Sequence, residues 1–348
     1  MQHLLCGEFI PWWMLYPPVV IYGIYLSIKY RSLTLPTIAN PGIYTGGAFG
    51  ESKFELSREL FRVSPDFAAK TGLIEGCSVG ERLVSLQKTM SALQVDFPVI
   101  LKPDIGQGGL AVEIVRNAEQ AREYLDRFMG KILLQEFVRG PYEAGIYYCR
   151  FPGREKGSIL DITDKRFPVV IGDGQQSIQD LILRDPRARL FASHYLEQLG
   201  PLARRILSRD ETYRICSRGN WVQGCMFLDG MRLWSPELEQ RIDSISRGVS
   251  GFFIGRYDLR YDCEEDLISG RAFKIVELNG ITAIPTSLKD PKTSVWHAWG
   301  LLCYIMGCLF EVGARNMARG HNPMPVGKLV KAVTDFKNVM NMMSRKSQ

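Results

Sequence analysis

The sequence lacks the patterns that mark several common kinds of functional site. None of its eight cysteines forms a CxxC pair, and its four histidines are well separated. A disulfide framework, a zinc site and a histidine metal cluster are therefore not expected, and a reducing cytoplasm is the compartment that fits. The sequence also contains no Ser/His/Asp or Cys/His constellation for a protein nucleophile.

A strong excess of one charge is also missing. The 43 Lys and Arg residues against 37 Asp and Glu residues give a net charge of +6, and the basic residues are scattered. Nucleic acid is not an expected partner, because binding it requires a basic stripe. The 348 residues, 46% hydrophobic and 23% charged, predict a folded globular protein of two or three subdomains.

Three segments raise the question of membrane contact. Residues 9–28 carry no charge, are rich in aromatic residues and precede Lys29 and Arg31. A proline pair at 17–18 is expected to break a helix there, so we expect burial in the protein, with interfacial docking or a membrane span as alternatives. Residues 295–312 predict a buried apolar helix, and residues 328–348 a basic amphipathic docking helix. No signal peptide is expected, because the start of the chain lacks a positive region.

Cap residues and hydrophobic periodicity predict the other elements. Helices are expected after the N-caps Ser52, Asn117 and Ser177, at 79–93 and 237–248, and through the charged region 185–212. Strands are expected at 97–103, 110–115, 131–138, 142–150, 157–161, 163–170, 255–262 and 273–279.

The last two of these strands carry the side chains best suited to bind a metal ion and a phosphate. Glu277 and Asn279 project from one face of their strand, because residues two apart in a strand share a face. A neighbouring strand can bring Asp258 beside them, with Arg256 on the same face as Asp258. Carboxylate and carboxamide oxygens suit Mg²⁺, and an arginine can neutralise charge on a phosphoryl group. Taken alone, the pattern also fits two solvated strands.

A glycine-rich loop, DIGQGG at 104–109, lies between two of the predicted strands. Its backbone N–H groups can approach phosphate oxygens. The loop matches neither a P-loop nor a dinucleotide fingerprint, because no helix follows it directly. Taken alone, it also fits an ordinary hairpin.

The order of motifs resembles the ATP-grasp superfamily, and within it the carboxylate–amine ligases. The resemblance covers roughly residues 50–312, with about fifty residues between the first two lysines, much as in D-alanine–D-alanine ligases. The segment after Lys165, FPVVIGDGQQSIQDLI, also resembles the cyanophycin synthetase group. The motifs in order are SK at Lys53, PVILKP at Lys102, the Gly106–Gly109 loop, LLQEFVRGPYE at Leu133–Glu143, Lys165, GRYD at Arg256–Asp258, and VELN at Glu277–Asn279.

The resemblance implies an α+β ATP-grasp fold. Two α+β subdomains would clasp ATP between antiparallel sheets, beside a non-standard aromatic N-terminal region. The implied divisions are an N-terminal region at 1–52, a first subdomain with the flap and adenine hinge at 53–150, a second with the metal site and an insertion (174–240) at 151–312, and a C-terminal amphipathic helix at 313–348.

It also implies the roles of individual residues. Lys53 and Lys102 would bind the phosphates under the glycine loop. The backbone of the hinge, Gln135–Val138, would bind the adenine edge, and Glu143 would bind the ribose. Arg256 and Lys165 would be catalytic, and Asp258, Glu277 and Asn279 would hold one or two Mg²⁺ ions, with Mn²⁺ as a substitute. The implied ATP-binding residues are Lys53, Lys102, Gly106, Gly108, Gly109, Gln135, Glu136, Val138, Glu143 and Lys165.

The implied activity is ATP-dependent ligation through an acylphosphate, with release of ADP and phosphate. The partners would be a small-molecule carboxylate and an amine, in the cytoplasm or at the cytoplasmic face of a membrane through residues 9–31 and the C-terminal helix. An ATP-grasp kinase and a non-catalytic membrane-associated module are alternatives. D-alanine is not expected, because the N-terminal region and the insertion depart from the D-alanine ligases. Arg218 and Asn220 in the insertion are candidates for binding a substrate carboxylate.

Overall fold

The computed structural model describes residues 8, 10–216, 219, 221 and 224–347. The helices are α1 (Trp12–Leu15), α2 (Pro17–Lys29), α3 (Lys53–Val63), α4 (Val79–Leu93), α5 (Ala118–Arg127), α6 (Ile178–Arg184), α7 (Ala192–Leu199), α8 (Pro236–Gly248), α9 (Glu264–Ile268), α10 (Val295–Met317) and α11 (Val326–Ser347). The strands are β1 (Thr71–Ile74), β2 (Val99–Pro103), β3 (Glu113–Val115), β4 (Ile132–Glu136), β5 (Tyr142–Cys149), β6 (Ser158–Arg166), β7 (Val169–Ile171), β8 (Thr212–Arg214), β9 (Met226–Asp229), β10 (Ile254–Tyr261) and β11 (Phe273–Asn279).

Two antiparallel sheets form the centre of the fold. The smaller sheet has the order β1-β4-β2-β3, and its apolar side chains form a core with those of α4 and α5. The larger sheet has the order β11-β10-β5-β6-β9. Helices packed on antiparallel sheets confirm the predicted α+β class.

Alternation along the large sheet separates its two faces. On β10, Tyr257, Leu259 and Tyr261 join the core formed with α8 and α3. The opposite face is apolar beneath α10, where Ile254 packs with Ile305. Farther along the same face the strands carry charged side chains, because residues two apart point the same way. The fold therefore presents charges where the large sheet faces the small one.

Several predicted element boundaries are corrected. The predicted strand 110–115 begins only at Glu113, because Gly108, Gly109 and Ala111 have positive φ angles that extended backbone does not allow. The predicted strands 157–161 and 163–170 are the single strand β6 followed by β7. The break between β6 and β7 includes Pro168, which has no N–H to donate to a sheet. The predicted helical region 185–212 contains 3-10 turns, α7 and the first residue of β8.

The expected burial of residues 9–28 is wrong for one side of the segment. The proline pair does not break a helix; it starts α2, whose first turn needs no proline N–H. Within α2, Val19 and Leu26 are buried, but the opposite side is exposed. Packing on α10 buries one stripe of α2 and leaves the rest uncovered.

Helix α10 packs its inner side, including Ile305, Leu309 and Val312, against β5 and β10. By length and composition it is also apolar enough to cross a membrane, with 44% of its most apolar window buried inside the protein. The predicted domain divisions stay predictions. In the structure α3 contributes Leu56 and Leu60 to the core of the large sheet, and β5 is one of its strands.

Candidate functional site

A cavity of about 650 Å³ lies between the two sheets. Among the described residues, every predicted ATP-binding, catalytic and metal-binding side chain or glycine lines it. The remaining two predictions, Arg218 and Asn220, lie outside the described residues. The lining residues that the sequence predicted are Lys53, Lys102, Gly106, Gly108, Gly109, Gln135, Glu136, Val138, Glu143, Lys165, Arg256, Asp258, Glu277 and Asn279.

The two predicted acidic metal ligands lie on neighbouring strands. Antiparallel pairing of β10 with β11 sets Asp258 opposite Glu277, and Arg256 opposite Asn279. The Asn279 amide donates a hydrogen bond to Asp258 (3.2 Å), which leaves the amide oxygen of Asn279 for another partner. The strand pairing therefore brings all three predicted oxygen ligands together.

Asp258 is held ionised by two cations. Arg256 donates to both carboxylate oxygens of Asp258 (3.1 and 3.0 Å), and Lys165 donates to one of them (3.0 Å). Burial alone would raise the pKa of Asp258, but these cations outweigh it and hold the pKa well below its ordinary value. Arg256 is in turn fixed by donating to the carbonyl of Ile284 (3.0 Å).

Lys165 joins the two ends of the site. Its ammonium group is buried between Glu143 (2.6 Å) and Asp258 (3.0 Å). Burial acts to lower the pKa of Lys165, but the two carboxylates outweigh burial and raise it above its ordinary value. Lys165 is therefore a permanent cation that links the predicted ribose carboxylate to the predicted metal carboxylate.

Lys53 is positioned by the start of α3. The Ser52 hydroxyl caps this helix by accepting from the Glu55 N–H, and it also donates to Asp104 (2.8 Å). Asp104 is buried and accepts from the Phe54 N–H as well (2.9 Å). Anchored in this way, Lys53 forms an ion pair with Glu277. Sequence reasoning missed Asp104, because no periodic pattern marks it.

The ion pair keeps Glu277 charged. Burial opposes the charge on both partners. Attraction to Lys53 and Lys102 nevertheless lowers the pKa of Glu277 to about 2, and attraction to Glu277 raises the pKa of Lys53. Both groups are therefore ionised at neutral pH.

Lys102 has no carboxylate in hydrogen-bonding contact. It donates to the side-chain oxygen of Gln135 (3.0 Å) and to the Val276 carbonyl (3.4 Å). Burial, helped by the nearby Lys53, lowers the pKa of Lys102 to about 8. A phosphate placed beside this lysine would supply the missing negative charge.

The glycine loop forms one wall of the cavity. Gly108 and Gly109 have φ angles of +66° and +72°, a region that favours glycine. A Cβ atom added at Gly106 or Gly108 would meet no atom within 4 Å. The open space beside these residues lets a ligand approach the loop backbone.

Glu143 is held by a second cation that sequence reasoning missed. Arg260 donates to Glu143 (3.2 Å) and to the Val138 carbonyl (3.0 Å), so it ties the predicted ribose carboxylate to the predicted hinge. Its signal was present, because Arg260 continues the period-two pattern of Arg256 and Asp258.

The insertion also approaches Glu143. A Cβ atom added at Gly219 would lie 2.3 Å from the Glu143 carboxylate. The predicted insertion therefore reaches the cavity at Gly219. In the sequence this residue lies between Arg218 and Asn220, the two substrate candidates, which are outside the described residues.

Aromatic side chains form the other end of the cavity. The Lys289 ammonium lies 3.6 Å from the ring centroid of Trp221, and burial lowers the pKa of Lys289. Phe227 and Phe336 also line this end, and Phe336 on α11 packs against Phe49. The sequence placed Phe336 on the apolar face of the C-terminal helix but not at the cavity, because that contact depends on tertiary docking.

The donor set fits a hard divalent cation. Two ionised carboxylates and one amide oxygen are ligands of the kind that Mg²⁺ prefers. In the described part of the chain, no group of three or more His, Cys, Asp or Glu side chains is placed to hold a metal. A cation bound at Asp258, Glu277 and Asn279 would therefore depend on further oxygens, such as phosphate and water.

Comparison with known proteins gives one match to a family. A model described as a RimK-like ATP-grasp domain matches residues 73–146, from β1 through the glycine loop and β4 into β5. No curated protein matches the sequence of the chain.

Solved structures with a similar fold include three ligases or synthetases. A bifunctional glutathione synthetase from Pasteurella multocida is 16% identical with a TM-score of 0.35, and 65% of this chain covers 32% of that one. D-alanine–D-alanine ligase from Bacillus anthracis is 12% identical with a TM-score of 0.42, and 78% of this chain covers 69% of it. The VanG D-Ala:D-Ser ligase from Enterococcus faecalis is 13% identical with a TM-score of 0.39, over 76% of this chain and 64% of that one. The chain thus spans about a third of the length of the glutathione synthetase.

Proposed function

We propose that this chain is an ATP-dependent ligase of the ATP-grasp superfamily, whose RimK-like domain model matches residues 73–146. The proposal rests on one observation. Four buried or half-buried cations, Lys53, Lys102, Lys165 and Arg256, surround one cavity together with Asp258 and Glu277. Such an arrangement suits phosphoryl transfer, in which catalysis is mostly positioning and charge stabilisation.

The proposed reaction has two steps. An oxygen of a substrate carboxylate attacks the γ-phosphorus of ATP, the bond to the bridging oxygen breaks, and ADP leaves. An amine or related nucleophile then attacks the acyl carbon, loses its proton and displaces phosphate. Charge on the transferring phosphoryl group and on the tetrahedral intermediate is stabilised by Arg256 and Lys165.

The remaining residues bind and orient the nucleotide. Lys53 and Lys102 contact the phosphates under the Gly106–Gly109 loop, the Gln135–Val138 backbone faces adenine, and Glu143 faces the ribose. Bound Mg²⁺ would neutralise phosphate charge, and Asp258, Glu277 and Asn279 are the residues that would hold it. A carboxylate and an amine are proposed as substrates because the order of the motifs resembles that of carboxylate–amine ligases, and the family match does not select D-alanine.

The test is Mg²⁺-dependent turnover of ATP by the purified protein with pools of amino acids, hydroxy acids and cell-wall precursors. Lys102→Ala and Glu277→Ala are each expected to lower ADP formation by at least about 100-fold, because each removes a charge that contacts or organises the phosphates. Lys88→Ala and Glu123→Ala change exposed residues on α4 and α5 and serve as controls.

The products separate this proposal from its alternatives. Phosphate release that needs both a carboxylate and an amine supports a ligase. A stable phosphorylated product without free phosphate identifies a kinase instead. Undiminished turnover by both site variants would refute the site, and failure to bind ATP would leave a non-catalytic module.

A further inference from the structure

The outer side of α2 is apolar and open to solvent. Its inner side packs Val19 and Leu26 on α10. A helix that is hydrophobic on all sides is normally covered on all sides, so the exposed stripe requires an explanation. The stripe comprises residues that are each more than half exposed: Val20, Ile21, Ile24, Tyr25 and Ile28.

Exposed aromatic side chains also lie on α1 and α10, the two helices that contact α2. Trp12 and Trp13 on α1 are 74% and 62% exposed, and α1 is tied to α10 where the Trp299 indole donates to the Met14 carbonyl (3.2 Å). On α10, Trp296 is 73% exposed. We call this surface the aromatic face and define it by Trp12, Trp13, Ile21, Ile24, Ile28 and Trp296. Large exposed apolar residues gathered on helices that contact one another are typical of interaction sites.

The charges around the aromatic face are basic. No acidic residue occurs between residues 9 and 50, and Lys29 and Arg31 lie exposed at the end of α2. On α10, Glu311 is neutralised by Arg315 (2.7 Å) and accepts a hydrogen bond from Tyr30 (2.9 Å). A second copy of the chain meeting the same face would bring its own Lys29 and Arg31, while its Glu311 is already paired with Arg315, and this charge balance is unfavourable in a symmetric contact.

We propose that the aromatic face docks peripherally on the surface of an anionic phospholipid membrane. Tryptophan and tyrosine rings are favoured at the level of the lipid headgroups. The aliphatic stripe of α2 would enter the boundary of the acyl chains while Lys29 and Arg31 meet anionic headgroups.

Docking is peripheral because α1, α2 and α10 are joined to the folded protein on their inner sides. The inner side of α10 forms a core with β5 and β10, and that of α2 packs on α10. A membrane span would require these contacts to be given up. This inference stands apart from the proposed enzymatic function.

The test is flotation of the full chain with vesicles of phosphatidylcholine, with and without phosphatidylserine. The protein is expected to float with the anionic vesicles, and Ile24→Glu to lower the bound fraction at least about tenfold, because it places a charge in the acyl boundary. Val84→Glu on α4 is the matched control, since Val84 and Ile24 are both 55% exposed. Trp13→Ala serves as a second variant, and circular dichroism reports on the fold of each.

Replacing both Lys29 and Arg31 with Ala should weaken binding to the anionic vesicles selectively. The proposal is overturned if the intact chain floats with neither kind of vesicle, or if Val84→Glu is as harmful as Ile24→Glu. Protein that resists alkaline carbonate extraction would show a span instead. A dimer that Ile24→Glu dissociates, without any flotation, would assign the face to a second copy of the chain.

Discussion

Asp258 and Glu277 lie directly opposite each other on β10 and β11, yet different cations hold the two carboxylates. Arg256 and Lys165 bind Asp258, and Lys53 binds Glu277. Two carboxylates this close, of which Asp258 is buried and Glu277 partly buried, would otherwise favour protonation of one of them. The separate cations keep both ionised and ready to accept a divalent cation.

This arrangement makes the protein sensitive to acid. The pKa of Glu277 falls from its ordinary 4.5 to about 2 in the folded protein, and that of Asp258 is also lowered. For a carboxylate with a lowered pKa, the stabilisation is present above the unfolded pKa and is lost as the pH falls through the folded pKa. We expect the free energy of unfolding, measured with urea, to fall as the pH is lowered from about 4.5 towards 2.

Glu277→Gln should flatten that decline, because the amide does not titrate. Glu123→Gln, which changes an exposed carboxylate on α5, should leave the decline unchanged. Equal pH profiles for wild type and Glu277→Gln would show that the pair with Lys53 does not cause the acid sensitivity.

Lys102 should take up a proton when ATP binds. Its pKa of about 8 means that much of it is neutral in the free protein above that pH. The negative charge of the phosphates favours the ammonium form, so the pKa should rise on binding. Calorimetry near pH 8.5, in two buffers that differ in ionisation enthalpy, should detect this uptake.

The matched variant is Lys102→Arg, whose guanidinium stays charged in both states. It should bind ATP with less proton uptake than wild type. Unchanged uptake by Lys102→Arg would assign the proton to another group and contradict the placement of Lys102 beside a phosphate.

Lys165 should be important for stability as well as for catalysis. Lys165→Met removes the ammonium group between Glu143 and Asp258, leaving Arg256 and Arg260 to balance two buried carboxylates. We expect the free energy of unfolding to fall by about 3 kcal/mol, the cost typical of breaking a buried ion pair.

Arg62→Met breaks the exposed pair with Glu59 on α3 and should change little. Urea unfolding of both variants checks the difference. If Lys165→Met is as stable as Arg62→Met, the two arginines alone balance the site.

The Gly46–Gly47 turn of the N-terminal region should fix the position of the end of β11. Gly280 follows Asn279, and a Cβ atom at Gly280 would lie 2.5 Å from the Gly46 carbonyl oxygen and from the Gly47 Cα. Backbone atoms cannot rotate away as a side chain can, so Gly280→Ala should displace Asn279. We expect weaker Mg²⁺-dependent ATP binding together with a lower melting temperature.

Gly80→Ala provides the control, because a Cβ atom there meets nothing within 4 Å. In helix α4, alanine should be neutral or slightly stabilising. Normal ATP binding by Gly280→Ala would show that the turn can move without disturbing the site.

Local sequence patterns were sufficient to predict much of the secondary structure. The helix at 79–93 was predicted at its observed bounds, and Ser52, Asn117 and Ser177 cap helices as expected. Those features depend on neighbouring residues alone. The predicted start of the strand at 110–115 was wrong, because the shape of the glycine loop depends on backbone angles that hydrophobic periodicity does not report.

The sequence by itself determined which charged residues share a face of β10 and β11, and the order of the motifs that resembles the ATP-grasp superfamily. The tertiary structure alone decided that Asp104 anchors Lys53, that Arg260 holds Glu143, and that one side of α2 stays uncovered. The reason is physical. Strand alternation and helix caps are set within a few residues, whereas strand register, ion pairing and burial depend on contacts between segments far apart in the chain.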